Sequence, residues 1–558
     1  MTDVAPDAPA PLLRPWSSRS LQATAQALRD RPDHVFDLVV VGAGITGAGV
    51  ARDAAMRGLD TLVLEASDLA FGTSSRSSRL IHGGVRYLEQ GELGLVFEAL
   101  RERARLVELA PHLVSPTPFM FPSFTEDRLQ PWKLSLGLSL YDLLAMYRGQ
   151  RHRRLSAARA RALEPMLREE GLRGAVYYED AVTDDARLTL ANLQAAREAG
   201  AQVLTHTPVT GLAREGALHT VTVDGGQQIR ARTVLLATGP WTGSRLLGAP
   251  GAELLTLSKG VHLVVPGEDA PVRAPVVIQV PGQRRILFAV PWGPRTYLGT
   301  TDSVFEGDPG DAGVTEADEE EVLELVRRVL GGANLRRDRI ISAWSGVRPL
   351  VSAAGSRARG GTVELARTHR VVENEDGVLA LVGGKLTTYR AMAQEAVDRI
   401  CARLQAASEG TVPLRPCATH HTPLLSVSVD GPVEATDGTH GLPRELTRDL
   451  EQRRGAETPE LLAAIAGDPG LAEPLVEGLP YRWVEVERAI EFEGARHLDD
   501  ILRRRIPLAL TDRRLGGGVM YEVARRLVRA RGGPPAEVEQ EVERYRELVT
   551  RETRRTPA

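Results

Sequence analysis

What most constrains this chain is a short run near its start: VFDLVVV (35–41), GAGITG (42–47), then small residues up to Gly58. A β-branched apolar run of that length reads as a buried strand, and the residues after it carry helical character. Gly42, Gly44 and Gly47 stand at G-x-G-x-x-G spacing across the junction, and a second apolar strand follows at Thr61–Leu64. In such a βαβ unit one glycine permits the tight turn, one lets the backbone approach a pyrophosphate, and one lets the helix pack closely on the strand. The helix start then turns free amides and the positive end of its dipole toward phosphate. Glu65 ends the second strand, 18 residues beyond Gly47, where a carboxylate can accept hydrogen bonds from an adenosine ribose. The motif predicts a dinucleotide site. It does not by itself separate FAD from NAD, and a strand–helix turn without a ligand is the alternative.

Two later segments favour FAD. VLLATGPW (234–241), which carries Gly239, resembles the Ala-Thr-Gly element of two-domain flavoproteins, and Gly383-Gly384 opens a late helix. In that superfamily these segments return with the N-terminal unit to one cofactor. Elsewhere the patterning predicts helices over 91–110, 132–147, 155–167 and 314–330, one after GGKLTTYR (383–390), and one capped by Asp184 or Asp185 and running to Ala199. Strands are expected at 174–179, 339–344 and 378–382, and the short strand-like segments between 201 and 300 read as one mixed sheet. Residues 111–131, with several prolines, read as loop. Residues 1–33 read as a disordered tail. A Pro/Thr/Gly-rich linker at 405–442 separates an interleaved unit at 34–404 from an Arg- and Glu-rich helical unit at 443–558.

Composition narrows the class. A chain of 558 residues has material for roughly three or four domains. A net charge of -4 offers no basic domain for nucleic acid. Cys401 and Cys417 are the only cysteines. They make neither a disulfide framework nor a metal cluster, so no metal is expected and a reducing cytoplasm fits. The first residues lack the basic start and apolar core of a secretory signal. The longest apolar stretch, near 134–147, is shorter than the roughly 20 residues needed to cross a bilayer.

Seven further segments carry a resemblance: TSSRSSRLIHGGVRYLE (73–89), DDARLTLAN (184–192), ATGPW (237–241), KGVHLVVP (259–266), GTTD (299–302), SGVRPL (345–350) and GGKLTTYR (383–390). With the βαβ unit they are similar to the FAD-dependent glycerol-3-phosphate dehydrogenase family, within the glycine/D-amino-acid oxidase fold group. The resemblance implies an α/β fold plus an α-helical region: a Rossmann-like FAD-binding domain interleaved with an antiparallel-sheet substrate domain, then an all-α C-terminal domain. The implied reaction oxidises the C2 alcohol of sn-glycerol 3-phosphate to dihydroxyacetone phosphate.

The residues suit that chemistry. The substrate is a small dianion, and Arg86, Arg348 and Lys385 each lie in one of these motifs beside glycine-rich turns. Arginine can hold phosphate through two parallel bonds and lysine adds a point charge, while Tyr87 can add a phenolic bond. Removing hydride from C2 also requires the hydroxyl proton to leave. His262 is the first choice of base, because its unperturbed pKa lies near neutrality; a hydrogen-bonded core histidine is the bland alternative. Arg348 would polarise the oxyanion or hold phosphate. Ser74, Ser75, Ser78 and His82 are expected around the cofactor, and Gly383, Gly384, Lys385, Leu386 and Thr387 at the pyrimidine edge. There a helix dipole would stabilise anionic reduced flavin.

A dehydrogenase of this family implies a quinone acceptor and peripheral contact with the inner face of the cell membrane. WKLSLGLSLYDLLAMYRGQRHRR (132–154) mixes an apolar face, a Trp and cations, which suits an interfacial helix; a buried helix with a basic end reads equally well. A related oxidase passes electrons to oxygen and often carries a mid-chain insertion, which is not seen here. An amino-acid-oxidase-type enzyme and a non-catalytic flavin-fold module are the other readings. A homodimer is an expectation from the family.

Overall fold

The computed structural model describes residues 13–84, 92–144, 151–243, 254–351, 368–407, 413–424 and 442–557. Among these, two sheets and a helical region form the chain. In the first sheet, strands Leu379–Gly383, Gln228–Leu236, Val35–Val41, Thr61–Leu64 and Gln202–Leu204 run parallel in that order. Helix Ile45–Met56 packs between this sheet and helices Asp185–Glu198 and Tyr389–Ala407. A parallel sheet covered on its faces is buried throughout, which is why its strands read as unbroken apolar runs. The side chains of Leu38, Val39, Val40, Val234, Leu235 and Leu236 are fully buried.

The second sheet is largely antiparallel. Leu255–Pro266 pairs with Ser342–Val351 over ten residues and with Arg295–Gly299 on its other side; beyond lie Ile286–Trp292, Val276–Gln279, Val114–Phe124, Leu172–Thr183 and Leu80–Ile81. The segments between 201 and 300 are therefore not one mixed sheet. Those before residue 237 join the first sheet and those after 254 the second.

Two further expectations are corrected. Residues 111–131 contain the eleven-residue strand Val114–Phe124. Pro116, Pro118 and Pro122 share strand parity with Met120, whose N–H points away from the Leu172–Thr183 partner and donates to the Pro275 carbonyl at 2.8 Å. The missing proline donors thus leave the ladder to that partner intact, a placement sheets tolerate. Residues 13–33 are also ordered, in place of a disordered tail. Helix Ser18–Arg29 is capped by Ser17, and Trp16, Leu21 and Leu28 are buried. The Trp16 carbonyl accepts from Gly494 N–H at 2.6 Å, and its N–H donates to the Glu491 carbonyl at 2.8 Å. With Leu13, which is also buried, four apolar side chains anchor this otherwise polar stretch.

The helical region docks through ion pairs. Asp68, just beyond the βαβ unit, accepts from Arg505 at 2.6 and 2.8 Å and from Arg504 at 2.5 Å, all three buried. Glu552 of the last helix, Glu537–Thr553, reaches Arg76 and Arg503 at 2.5 Å. Within the helical region itself, Glu485 is held by Arg453 and Arg454. Burial alone would push the pKa of Glu485 and Glu552 up, but these arginines outweigh it and hold each at about 2. A depressed carboxylate stabilises the fold fully above its unfolded pKa, about 4.3, and loses that contribution as pH falls toward its folded value, on the order of 3 kcal/mol each. Urea unfolding should therefore show helical-region stability dropping between about pH 4.5 and pH 2, with Glu552→Gln flattening part of that slope.

Candidate active site

The carboxyl ends of the parallel strands deliver Gly42, Gly239, Gly383 and Gly384 to one cavity of about 540 Å³. Such sheets bind ligands outside the carboxyl ends of their strands. Gly44, Glu65, Ser74, Ser78, His82, Arg348, Lys385, Leu386 and Thr387 line the same space. Of the other expected site residues, Arg86 and Tyr87 lie outside the described residues. Gly47, Ser75 and His262 do not line the cavity.

Gly47 serves packing. A methyl there would overlap the Gly42 carbonyl, so helix and strand meet only because it is absent. The glycine turn is braced from both sides: Ala43 N–H donates to Glu65 Oε2 at 2.7 Å and Ile45 N–H to Ser74 Oγ at 2.9 Å. Burial pushes the Glu65 carboxyl up, while bonds from the Ala43 and Ser67 amides oppose that. On the far wall, His82 N–H donates to Thr387 Oγ1 at 3.1 Å, which ties the serine-rich loop to the Gly383–Thr388 turn.

Beyond the glycine turn the second sheet supplies charge. Arg348 donates from Nη2 to Thr300 Oγ1 at 2.8 Å and from Nη1 to Ser258 Oγ at 3.5 Å. Its guanidinium lies across Gly260, where a methyl would overlap both it and Thr300. Thr300 and Gly260 lie within the motifs GTTD and KGVHLVVP but were not singled out from sequence, and Ser258 lies just before the second motif.

His262 sits one layer behind the cavity wall, almost fully buried. Its Nε2 lies 3.0 Å from Ser78 Oγ, and its ring stacks on Trp344 at 4.7 Å and 11°. Burial first, then the charges of Arg348 and Arg79, hold its pKa well below the ordinary histidine value. The ring is thus neutral at physiological pH and meets the cavity through the Ser78 hydroxyl.

Among the described residues one trio, Asp68, His206 and Asp500, approaches metal-ligand spacing. Arg504 and Arg505 already bond Asp68, and Arg504 bonds Asp500 at 2.6 Å, so a cation would have to displace two buried guanidinium groups.

The residues fit FAD. Three strand-end glycine turns converge on one cavity, a helix starts there without a side-chain cap at Gly44, and the Glu65 carboxylate at the end of the second strand lines the same space. Comparison with known proteins agrees. Residues 37–399 match the family model of FAD dependent oxidoreductases, and residues 379–532 that of the C-terminal domain of alpha-glycerophosphate oxidase. The chain is 37% identical to a glycerol-3-phosphate dehydrogenase of Mycobacterium leprae, covering 96% of this chain and 92% of that one. It is 32% identical to an aerobic glycerol-3-phosphate dehydrogenase of Staphylococcus haemolyticus, covering 84% and 86%. Among solved structures it is similar to the glycerol-3-phosphate dehydrogenase from Bacillus halodurans complexed with FAD, with a TM-score of 0.76, 25% identity and coverage of 96% and 98%. The fold is shared with an FAD-bound L-alpha-glycerophosphate oxidase from Mycoplasma pneumoniae, with a TM-score of 0.54, 16% identity and coverage of 66% and 95%.

Proposed function

We propose, from the premise that this chain belongs to the FAD-dependent glycerol-3-phosphate dehydrogenase family, that it oxidises sn-glycerol 3-phosphate to dihydroxyacetone phosphate and passes the electrons to a membrane quinone. The observation that carries this reading is the meeting of Arg348, Lys385 and Ser78 on the cavity that the three glycine turns line. Two cations suit a phosphate dianion, whereas an amino-acid carboxylate would need one.

FAD held by the 42–47 turn, Glu65, Ser74, Gly239 and the 383–387 turn would supply the hydride acceptor. Arg348, oriented by Thr300 and Ser258, holds the phosphate or the developing C2 oxyanion. Ser78 accepts the substrate hydroxyl proton while giving its own to His262 Nε2, so His262 acts as base through Ser78. Substrate phosphate on Arg348 would offset one of the charges that depress the His262 pKa, so bound dianion strengthens the base.

Purified protein should show a flavin spectrum that bleaches anaerobically with glycerol 3-phosphate but not with glycerol or a D-amino acid. Bleaching by the amino acid would move the assignment to an amino-acid oxidase. Reoxidation by a short-chain quinone faster than by air would support the dehydrogenase over the oxidase.

The membrane reading draws support from helix Pro131–Leu144. Its inner face buries Leu134, Leu138 and Tyr141, while Trp132, Leu136 and Leu143 are 56%, 69% and 55% exposed. With Leu140, and with Leu93 and Phe97 of the adjoining Leu93–Leu109 helix, these are six of the eight exposed large apolar side chains among the described residues. Such clustering marks an interaction surface. Lys133, Arg151, Arg153 and Arg154 flank it, and His152 ties the basic segment to the helix through Ser135 and Asp142 at 2.9 and 2.7 Å. An apolar stripe edged by cations fits an anionic bilayer surface, and no described helix is long and apolar enough to cross one. Leu136→Glu with Leu143→Glu should abolish flotation with anionic vesicles and leave dye-linked activity intact. Unchanged flotation would remove this face from consideration.

A further inference from the structure

The geometry points to Arg79 as a positioning residue that holds Ser78 against His262. The inference rests on the reading above that His262 acts on the substrate through Ser78.

Arg79 has a φ of 54°, in the left-handed region that side chains other than glycine and asparagine rarely occupy. Strain of this kind persists only where the surroundings over-determine it, and here they do. Arg79 N–H donates to Ser77 Oγ at 2.9 Å, and the Arg79 carbonyl accepts from Thr183 N–H at 2.9 Å. Ser77 in turn donates to Asp185 from its hydroxyl at 2.7 Å and its amide at 3.1 Å. The Ser77 carbonyl accepts from Trp344 Nε1 at 3.3 Å and the Ser78 carbonyl from the Tyr297 hydroxyl at 3.0 Å. Residues 77–79 are thereby pinned to helix Asp185–Glu198 on one side and to the second sheet on the other.

The Arg79 side chain completes the device. It is 5% exposed, 3.6 Å from Asp185 and 3.7 Å from Asp184, too far to hydrogen-bond either carboxylate. Its guanidinium lies over Trp292 at 4.4 Å and Trp344 at 5.9 Å. Charge attraction and aromatic stacking therefore hold it, and it bears on Trp344, whose indole stacks on His262. Both contacts that orient the imidazole, Ser78 at its edge and Trp344 at its face, are neighbours of Arg79. The His262 Nδ1 is buried and finds no hydrogen-bond partner among the described residues, so Ser78 is the one polar contact that fixes the ring. The charges facing His262 are those of Arg79 and Arg348; Tyr297 stands at 6.3 Å and is neutral.

The test uses FAD-loaded full-length protein with Arg79→Gln, Arg79→Lys, Ser78→Ala and His262→Asn. Arg79→Gln is expected to lower kcat about a hundredfold with KM changed less than threefold, since binding contacts are kept and proton transfer is misaligned. The acid limb of its kcat profile should move to higher pH, because one of the charges that depress the imidazole pKa is gone. Arg79→Lys keeps that charge and should restore the limb while recovering only part of kcat. Arg79→Gln combined with Ser78→Ala should be no slower than Ser78→Ala alone. Independently of turnover, the ¹⁵N imidazole signal missing from His262→Asn should titrate at higher pH in Arg79→Gln than in the parent. Multiplying effects in the double variant, a loss confined to KM, or an unmoved imidazole titration would overturn the proposal. Full activity in His262→Asn would instead overturn the reading on which it rests.

Discussion

Arg348→Ala should lower kcat/KM for glycerol 3-phosphate by about a thousandfold, on the order of 4 kcal/mol of transition-state binding. The guanidinium is preorganised: Thr300 and Ser258 take two of its donors, and the lack of a side chain at Gly260 lets it lie flat across the strand. Arg348 lines the cavity beside Lys385 and Ser78. Arg348→Lys keeps the charge but not the planar pair of bonds, so it should recover only part of the loss. Gly260→Ala should act the same way more mildly, by displacing the guanidinium without removing it. Stopped-flow bleaching under anaerobic conditions separates the effects: a slower bleaching rate at saturation places Arg348 on the reacting oxygen, and a raised half-saturation alone places it on the phosphate. A loss below tenfold in kcat/KM would remove it from contact with either.

Gly47→Ala should yield protein that retains less than about a tenth of the parent flavin per chain after desalting, although Gly47 touches no part of the cavity. The added methyl would overlap the Gly42 carbonyl, and the helix cannot retreat because Gly49 is packed against Tyr389 and Ala393 on its other face. Overpacking of this sort costs roughly 1–3 kcal/mol. The displacement falls on the amides at Ala43 and Ile45, which Glu65 and Ser74 hold in place. Visible absorbance per chain and the unfolding midpoint should drop together. Full flavin content at the parent midpoint would show that the turn tolerates the shift.

Much of the site was legible because it is local. Gly42, Gly44 and Glu65 lie within one βαβ unit whose apolar runs and spacing state the backbone path. Gly239, Gly383 and Gly384 follow further apolar strands, and all of them reach the same cavity. Helix Asp185–Glu198 was legible for a similar reason, since Asp184 caps it by accepting from Arg187 N–H at 3.0 Å.

What depends on distant partners was not legible. The strands between 201 and 300 were visible, but hydrogen bonding between strands carries no local signature of which sheet each one joins. The strand at 114–124 hid behind its prolines, which are tolerated only because their parity faces away from the main partner. The segment at 13–33 buries Leu13, Trp16, Leu21 and Leu28, and Trp16 exchanges backbone bonds with Glu491 and Gly494, far along the chain. Within the site, local spacing was enough to read the glycine turn at 42–47 and the carboxylate of Glu65. Tertiary structure alone decided that His262 stands behind Ser78, that Arg79 strains its backbone beside them, and that Arg348 lies across Gly260. The physical reason is that such contacts join residues 184 positions apart in the first case and 88 in the last, and packing, not periodicity, brings them together.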